Sequence, residues 1–350
     1  MREFEKNIRK VEPYVPGEQP QKKVIKLNTN ENPYPPAPGV LAAMKKLEGH
    51  VDSLRLYPDP TSDALVSALA DFYHVGKDQV FVGVGSDDVL SMCFLTFFNS
   101  EKPVFFPDIT YSFYKVWADL YRIPYECKKV DENFHIIKED PENGGVIFPN
   151  PNAPTSIYED LEFVEDIIRH NQDVIVIVDE AYIDFAGESA LSLLDKYDNL
   201  IITQTFSKAR SMAGMRIGYA IASPLLIKYL NDAKYSFNSY TMNKTSLVYG
   251  AEAVKDKEYF AETTRKIVET RDWAEEEFKK LGFVFPKPSA NFIFVSHPEY
   301  DAKELFEAMK AKGIYVRFWG SERIEQYLRV TIGTREEMEA LFAFLREYMM

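Results

Sequence analysis

Two cysteines, Cys93 and Cys127, are too few to give this 350-residue chain a disulfide framework. Cys93 lies inside the apolar run "VLSMCFLTFF" and is expected to be a buried thiol. No apolar run approaches the roughly 18 residues of a membrane span. The N-terminal "MREFEKNIRKVEP" has no apolar core, which predicts no secretory signal. Basic excess is missing too: 41 Lys and Arg stand against 54 Asp and Glu, a formal charge of −13. That argues against nucleic acid or an anionic membrane surface as partner, because phosphate-backbone binders need net basic faces. A small anionic ligand stays open if a few arginines gather in a cleft. The five histidines (His50, His74, His135, His170, His297) follow no metal-ligand spacing, so no metal site is expected. What is left is a cytoplasmic α/β protein, long enough for one large domain and a smaller one.

Residues 11–39 hold seven prolines and little periodicity, which predicts an extended arm laid across a surface. From about residue 40 helices and strands alternate. Helical spacing at 61–73 leads into strand 79–85, a helix through 86–98, strand 102–106, a helix at 111–121 and strand 124–130. Strand 144–150, a helix near 158–170, the strand "DVIVIVDEAY" (173–182) and the strand "NLIITQTFSK" (199–208) follow. Short β-branched runs without polar alternation, separated by helices, predict a parallel sheet covered on both faces. After about 252 the pattern changes to a long charged helix (255–281), the stretch 283–295, a helix at 302–312, "GIYVRF", "YLRVTIG" and a last helix from 335. The expected division is an N-terminal arm (1–35) packing with the small domain, a large α/β domain (36–252) and a small α+β domain (253–350).

In open parallel sheets, ligands bind beyond the carboxyl ends of the strands. Strand 79–85 ends in "GVGSDDVL", where Gly83 and Gly85 allow a sharp turn and Ser86-Asp87 open a helix whose free N–H groups suit a phosphate. An ordinary N-cap is the plainer explanation of the same residues. Asp179 closes a β-branched run, where an ionised carboxylate is costly unless a cation such as a protonated pyridine nitrogen meets it. Capping of a loop N–H is the alternative. Strand 199–208 delivers Thr205, Ser207 and Lys208, and a lysine in a desolvated pocket can form a Schiff base, although most single lysines are solvated surface groups. Arg216, flanked by Gly214 and Gly218, can grip a phosphate bidentately. "NPNAPTS" (150–156) reads as a rigid turn that aims an amide into the same crevice.

"NPNAPTS", "VDEAYIDF" and "TFSKARSMAGMRIGY" resemble the fold-type I, pyridoxal-phosphate-dependent aminotransferases. "LNTNENPYPP", "LRLYPDP", "GVGSDDVL", "PDITYSFY" and "YLRVTIGT" are similar to the histidinol-phosphate branch of that family, from about residue 10 to the C-terminus. The resemblance implies pyridoxal 5'-phosphate as cofactor and a large, mostly parallel α/β/α sheet domain with a small α+β domain. Lys208 matches the lysine that bonds to the cofactor and shuttles the proton, Asp179 the partner of the pyridine nitrogen, and Tyr182 the phenol at the cofactor's phenolic oxygen. Gly85, Ser86, Asp87, Thr205, Ser207 and Arg216 match the phosphate cup, and Tyr111 the ring stacked on the cofactor. Tyr57 matches a tyrosine that reaches the neighbouring subunit's cofactor phosphate, which implies a homodimer. Arg329, with Arg317 as a second, matches the grip on the substrate's acidic end. Tyr14, Asn30 and Glu31 lie where the arm covers the pocket. The implied substrates are a phosphorylated amino alcohol, histidinol phosphate, and glutamate or 2-oxoglutarate, in histidine biosynthesis.

Two positions depart from the family pattern. The asparagine before Pro-Thr is Ala153, with Asn152 the nearest replacement for its amide. The glycine after Pro-Thr is Ser156, expected to matter little unless that backbone needs positive φ. An aromatic aminotransferase and a phosphothreonine-type decarboxylase are the rivals on this scaffold. A non-catalytic binding domain has no need of Lys208, Asp179 and Arg216 together. A dinucleotide-binding dehydrogenase lacks its acidic residue after the second strand.

Overall fold

The computed structural model describes residues 2–138 and 142–350. Strand β1 (Ile25–Lys26) lies in the arm, followed by helices α1 (Pro38–Glu48) and α2 (Asp63–Tyr73). Then come β2 (Val80–Gly83), α3 (Ser86–Phe97), β3 (Val104–Pro107), α4 (Phe113–Tyr121), β4 (Tyr125–Lys128), β5 (Gly145–Pro149), α5 (Leu161–His170), β6 (Val176–Asp179) and β7 (Leu200–Thr205). Strand β8 (Gly218–Ala222) completes the large sheet, and helices α6 (Pro224–Phe237), α7 (Lys244–Lys255) and α8 (Lys257–Lys280) lead out of it. The chain ends with β9 (Phe292–Ser296), α9 (Ala302–Ala311), β10 (Ile314–Tyr315), β11 (Arg317–Phe318), β12 (Tyr327–Thr331) and α10 (Arg335–Tyr348).

The seven-stranded sheet runs β2-β8-β7-β6-β5-β3-β4, parallel except for β8, which is antiparallel to both its neighbours. Successive side chains of a strand point to opposite faces, so an uninterrupted apolar run must be covered twice. Val176 and Val178 of β6, with Leu200 and Ile202 of β7, pack into one core with α2, α5 and α7. Ile177 and Ile201 pack into the opposite core with α3, α4 and α6. This double cover holds every parallel strand end at one edge, where the ligand crevice belongs.

Strand β8 is absent from the sequence-based expectation, which took 205–220 as a strand end and a turn. Its residues "GYAIA" are all buried, and the chain reaches it by folding straight back antiparallel after the loop that carries Lys208 and Arg216. Helices α6 and α7 were likewise not foreseen. The first begins at Pro224, whose missing N–H costs nothing at a helix start. The second is capped by Asn243, whose side chain accepts from the Ser246 N–H at 2.8 Å.

The second, smaller core gathers α8, α9 and α10 around the antiparallel sheet β11-β12-β9. Strand β1 pairs in parallel with β10, and the neighbouring Leu27 is fully buried in this core. Between the two cores stands Ser156. Its φ is +66°, the left-handed region that favours glycine, so the condition attached to the Gly-to-Ser departure is met. The hydroxyl offsets the cost. It donates to the Phe292 carbonyl at 3.0 Å and accepts from the N–H groups of Ala290 at 2.8 Å and Ser289 at 3.1 Å. A fully buried serine thus ties the loop after β5 to the start of β9. Ser156→Ala keeps the backbone strain and strands buried polar groups, a loss of about 2–4 kcal/mol. Ser156→Gly relieves the strain and should lose about 1 kcal/mol less. Denaturant unfolding of the two variants checks that order.

Candidate active site

The crevice at the carboxyl edge of the sheet encloses about 380 Å³. Ser86, Asp87, Tyr111, Asp179, Tyr182, Thr205, Ser207, Lys208 and Arg216 line it. Glu31 reaches it from the arm, paired with Lys26. Ten residues singled out from widely separated motifs therefore converge on one cavity.

Its positive end is built by backbone economy. Gly85 has φ +83°, and a Cβ there would collide with the Arg216 guanidinium. A Cβ on Gly218 would strike the Gly85–Ser86 backbone. Both glycines are required by close approach. Arg216 itself takes φ +51°, donates to Ser207 Oγ at 3.3 Å and pairs with Asp87 Oδ2 at 3.1 Å. The other Asp87 oxygen accepts from Tyr111 Oη at 2.7 Å. The first N–H groups of α3 point into the same corner, free as at any helix start. Thr205 Oγ1 accepts the Ser207 N–H at 3.1 Å, so its hydroxyl holds the loop.

The other end is anionic and dry. Asp179 is 4% exposed. Tyr114 Oη donates to it at 2.9 Å and Thr203 Oγ1 at 3.3 Å, yet among the described residues no cation pairs with it. Burial pushes its carboxyl up to about 6, against the pull of those hydrogen bonds. Between the two ends, Lys208 Nζ donates to the Thr29 carbonyl at 3.0 Å and stands 5.6 Å from the centre of the Tyr182 ring.

Several expected residues are placed elsewhere. Asn152 does not aim its amide into the crevice: Nδ2 donates to the Ile109 carbonyl and Oδ1 accepts from Thr110, each at 2.9 Å. It braces the loop that carries Tyr111, and Ala153 lines the cavity in its stead. Tyr14 stacks on Phe113 with centroids 4.3 Å apart. Asn30 is buried, its Nδ2 donating to Tyr182 Oη at 2.9 Å. Arg317 and Arg329 face each other across β11 and β12. Arg329 donates to the Asn28 carbonyl at 2.9 Å and Arg317 to that of Val15 at 3.2 Å, and neither has an ion-pair partner among the described residues. Burial lowers the Arg329 guanidinium from its usual range, with Arg317 as a lesser contributor. Tyr57 is 80% exposed and stacks on Tyr240 at 4.6 Å, away from this chain's cavity.

Comparison with known proteins agrees with this geometry. The family model described as aminotransferase class I and II matches residues 22–345. The chain belongs to the class I and II aminotransferases. A histidinol-phosphate aminotransferase of Clostridium botulinum (strain Okra) is 50% identical over 343 residues, covering 97% of this chain and 96% of that protein. Among solved structures, the histidinol-phosphate aminotransferase of Clostridium acetobutylicum superposes with a TM-score of 0.85 at 21% identity, over 93% of this chain and 98% of the other. That of Sinorhizobium meliloti, in complex with pyridoxal-5'-phosphate, gives 0.82 at 24%, over 94% and 92%.

Within this aminotransferase, sequence reasoning missed three groups around the site. Tyr114 and Thr203 hold Asp179, and Thr29 holds Lys208. Thr203 had a signal, since a hydroxyl in register with a buried strand-end carboxylate on the neighbouring strand is well placed to donate to it. Thr29 contributes a main-chain carbonyl, which no motif records.

The buried Asp179 carboxylate costs the cofactor-free fold stability. Its folded value lies above the unfolded one of 3.8, so the cost is absent below about pH 4 and grows until about pH 6. Cofactor-free Asp179→Asn should therefore be more stable than the parent at pH 7–8, by about 2–3 kcal/mol, and should lose that advantage near pH 4. Chemical denaturation of the cofactor-free proteins across pH checks it. An asparagine variant less stable than the parent at pH 8 contradicts the account.

Proposed function

We propose that this aminotransferase moves an amino group between L-histidinol phosphate and 2-oxoglutarate, yielding imidazole-acetol phosphate and glutamate, the latter pair being consumed in the biosynthetic direction of histidine formation. The observation that carries this is half identity, over nearly the whole chain, to curated histidinol-phosphate aminotransferases. The cofactor is pyridoxal 5'-phosphate. The residues present fit it. Ser207, Arg216 and the main-chain N–H groups of Ser86 and Asp87 would hold its phosphate, in the corner that Gly85 and Gly218 clear. Asp179, desolvated and without a cation among the described residues, would meet its ring nitrogen. Tyr182 would meet its phenolic oxygen and Tyr111 its ring face. When bound, the cofactor supplies an aldehyde that captures amines and a ring that delocalises the electrons left at a deprotonated carbon.

The chain's own groups do the rest. Asp179 keeps a positive charge at the ring nitrogen favourable. Lys208 Nζ, released from its covalent role, takes the proton from the amine-bearing carbon of the substrate and later returns one. Arg329 and Arg317 stand opposite one another with like charge, an arrangement that is unfavourable until an anion lies between them. Guanidinium groups accept either a phosphate or a carboxylate in bidentate geometry, which suits a site that must take histidinol phosphate and glutamate in turn. Glu31 and Tyr14, on the arm, complete the substrate side.

The same reading divides the chain into an arm (1–35), a cofactor domain (36–252) and a small domain (253–350), working in the cytoplasm as a homodimer. Leu41, Val51, Leu54, Leu56, Tyr57 and Phe237 are all exposed. Stacking of Tyr57 on Tyr240 and the 3.1 Å bond from Lys244 Nζ to the Ser53 carbonyl draw this region together. An apolar surface of that kind fits a second copy of the chain.

Cofactor-loaded protein should lose its visible absorbance on glutamate, and the amine form so produced should regain it with 2-oxoglutarate. Histidinol phosphate should support the first step at least as well as phenylalanine, and phosphothreonine should release no carbon dioxide. A preference for phenylalanine, or carbon dioxide release, transfers the chain to one of its rivals. For the dimer, mixing inactive Lys208→Ala with a Tyr57→Ala variant should restore up to about a quarter of parent activity, since half of randomly paired dimers carry one complete site. No recovery contradicts a shared site.

A further inference from the structure

We infer that Asn30 is a positioning residue that fixes the direction of the Tyr182 hydroxyl proton, aiming it into the cavity in compensation for the amide that Ala153 lacks. The inference rests on the pyridoxal phosphate assignment above.

The orientation of one amide decides the matter. Thr331 Oγ1 accepts the Asn30 backbone N–H at 3.0 Å, so its own proton is free to go to Asn30 Oδ1, also at 3.0 Å. With Oδ1 committed as acceptor, Nδ2 is the end that faces Tyr182, and it donates to Oη at 2.9 Å. The Asn30 carbonyl accepts from Asn291 Nδ2 at 3.1 Å, which fixes the backbone as well. A residue at φ +57° needs such a set of partners.

The consequence falls on Tyr182. A phenol has one proton to give. Because Asn30 supplies a proton, the tyrosine's own must go elsewhere, and Tyr182 lines the crevice that holds Lys208 and Asp179. An accepted hydrogen bond also strengthens the one donated onward. The loop after β5 places a methyl group, Ala153, at this crevice and turns the neighbouring Asn152 away. Among the described residues of this loop and the crevice, the donor to the cofactor's phenolic oxygen would therefore be Tyr182, and the arm sets its direction.

Asn30→Asp tests this with almost no change of shape. A carboxylate can only accept, so Tyr182 would turn its proton toward the introduced carboxylate and away from the cavity. A hydrogen bond donated to an anionic oxygen favours the deprotonated chromophore system, and losing it should raise the pH midpoint of the bound cofactor's visible absorbance by about one unit. Tyr182→Phe should show the same shift. The double variant should shift no further than Tyr182→Phe, because Asn30 acts through the phenol. Thermal unfolding is followed in parallel. A midpoint unmoved in Asn30→Asp, or a shift that adds in full to that of Tyr182→Phe, overturns the inference whatever happens to stability. Should Asn30→Asp fail to fold, Thr331→Val frees the amide to turn over and should move the midpoint the same way by about half a unit; no movement overturns it. Parent protein that takes up no cofactor defeats the underlying assignment first, before any variant is made.

Discussion

A carboxylate at the end of a buried strand, with hydrogen-bond donors but no cation among the described residues, is the constraint around which this site is organised. Asp179 sits where β6 runs out, on the face whose core is built from α3 and α4, and Tyr114 of α4 reaches it. Its neighbour Glu180 is the internal control. One residue on, pointing to the other face, Glu180 is equally desolvated and pushed up to about 7. Ser189, the Ala190 N–H and Gln204 all donate to it, and it does not line the crevice. Of these two adjacent buried acids, Asp179 is the one found among the described residues that line the crevice. That position leaves the first acid accessible to a ligand, whereas the second is held by three donors of the chain itself.

The arm does more than lie across the surface. Two consecutive arm residues touch two groups of the crevice: the Thr29 carbonyl holds Lys208, and the Asn30 amide holds Tyr182. The same stretch is fastened to the small domain, through the Thr331 N–H to the Leu27 carbonyl at 3.0 Å and through Arg329 to the Asn28 carbonyl. A displaced arm would therefore disturb Lys208, Tyr182 and Arg329 together. Such coupling is what a short extended segment can provide, because its backbone groups are not consumed by a helix of its own.

How much of this was legible in the sequence depended on whether local chemistry decided the outcome. The run "VIVIVDEAY" forces a doubly buried strand, and a carboxylate at its end is visible at once. Lys208, Arg216 and the glycines around Gly85 sit in short segments whose order along the chain already predicts a shared edge. At Asn152 the local pattern gives a turn but not which way the amide faces, and Ile109 and Thr110, more than forty residues away, decide that. Asn30 meets Tyr182 across 152 positions, a contact no spacing encodes. Strand β8 escaped notice because its apolar run follows so closely on the functional loop that both read as one feature. Ser156 was identified only conditionally, and the condition was a backbone angle.

Net charge and local charge point in opposite directions here. A chain with a formal charge of −13 repels anions at long range, and screening confines that effect to about 10 Å at moderate ionic strength. Inside the crevice the balance is set by groups in contact. Arg216 and the start of α3 make one end positive and Asp179 leaves the other negative, while Arg317 and Arg329, opposite each other across β11 and β12, add two cations without ion-pair partners among the described residues. A ligand with an anionic group at one edge and a basic nitrogen at the other matches that pattern, whereas a uniformly anionic polymer would meet the acidic balance of the chain first. Room for a small anionic ligand therefore follows from segregating the cations, and the acidic balance of the whole chain disfavours larger polyanions.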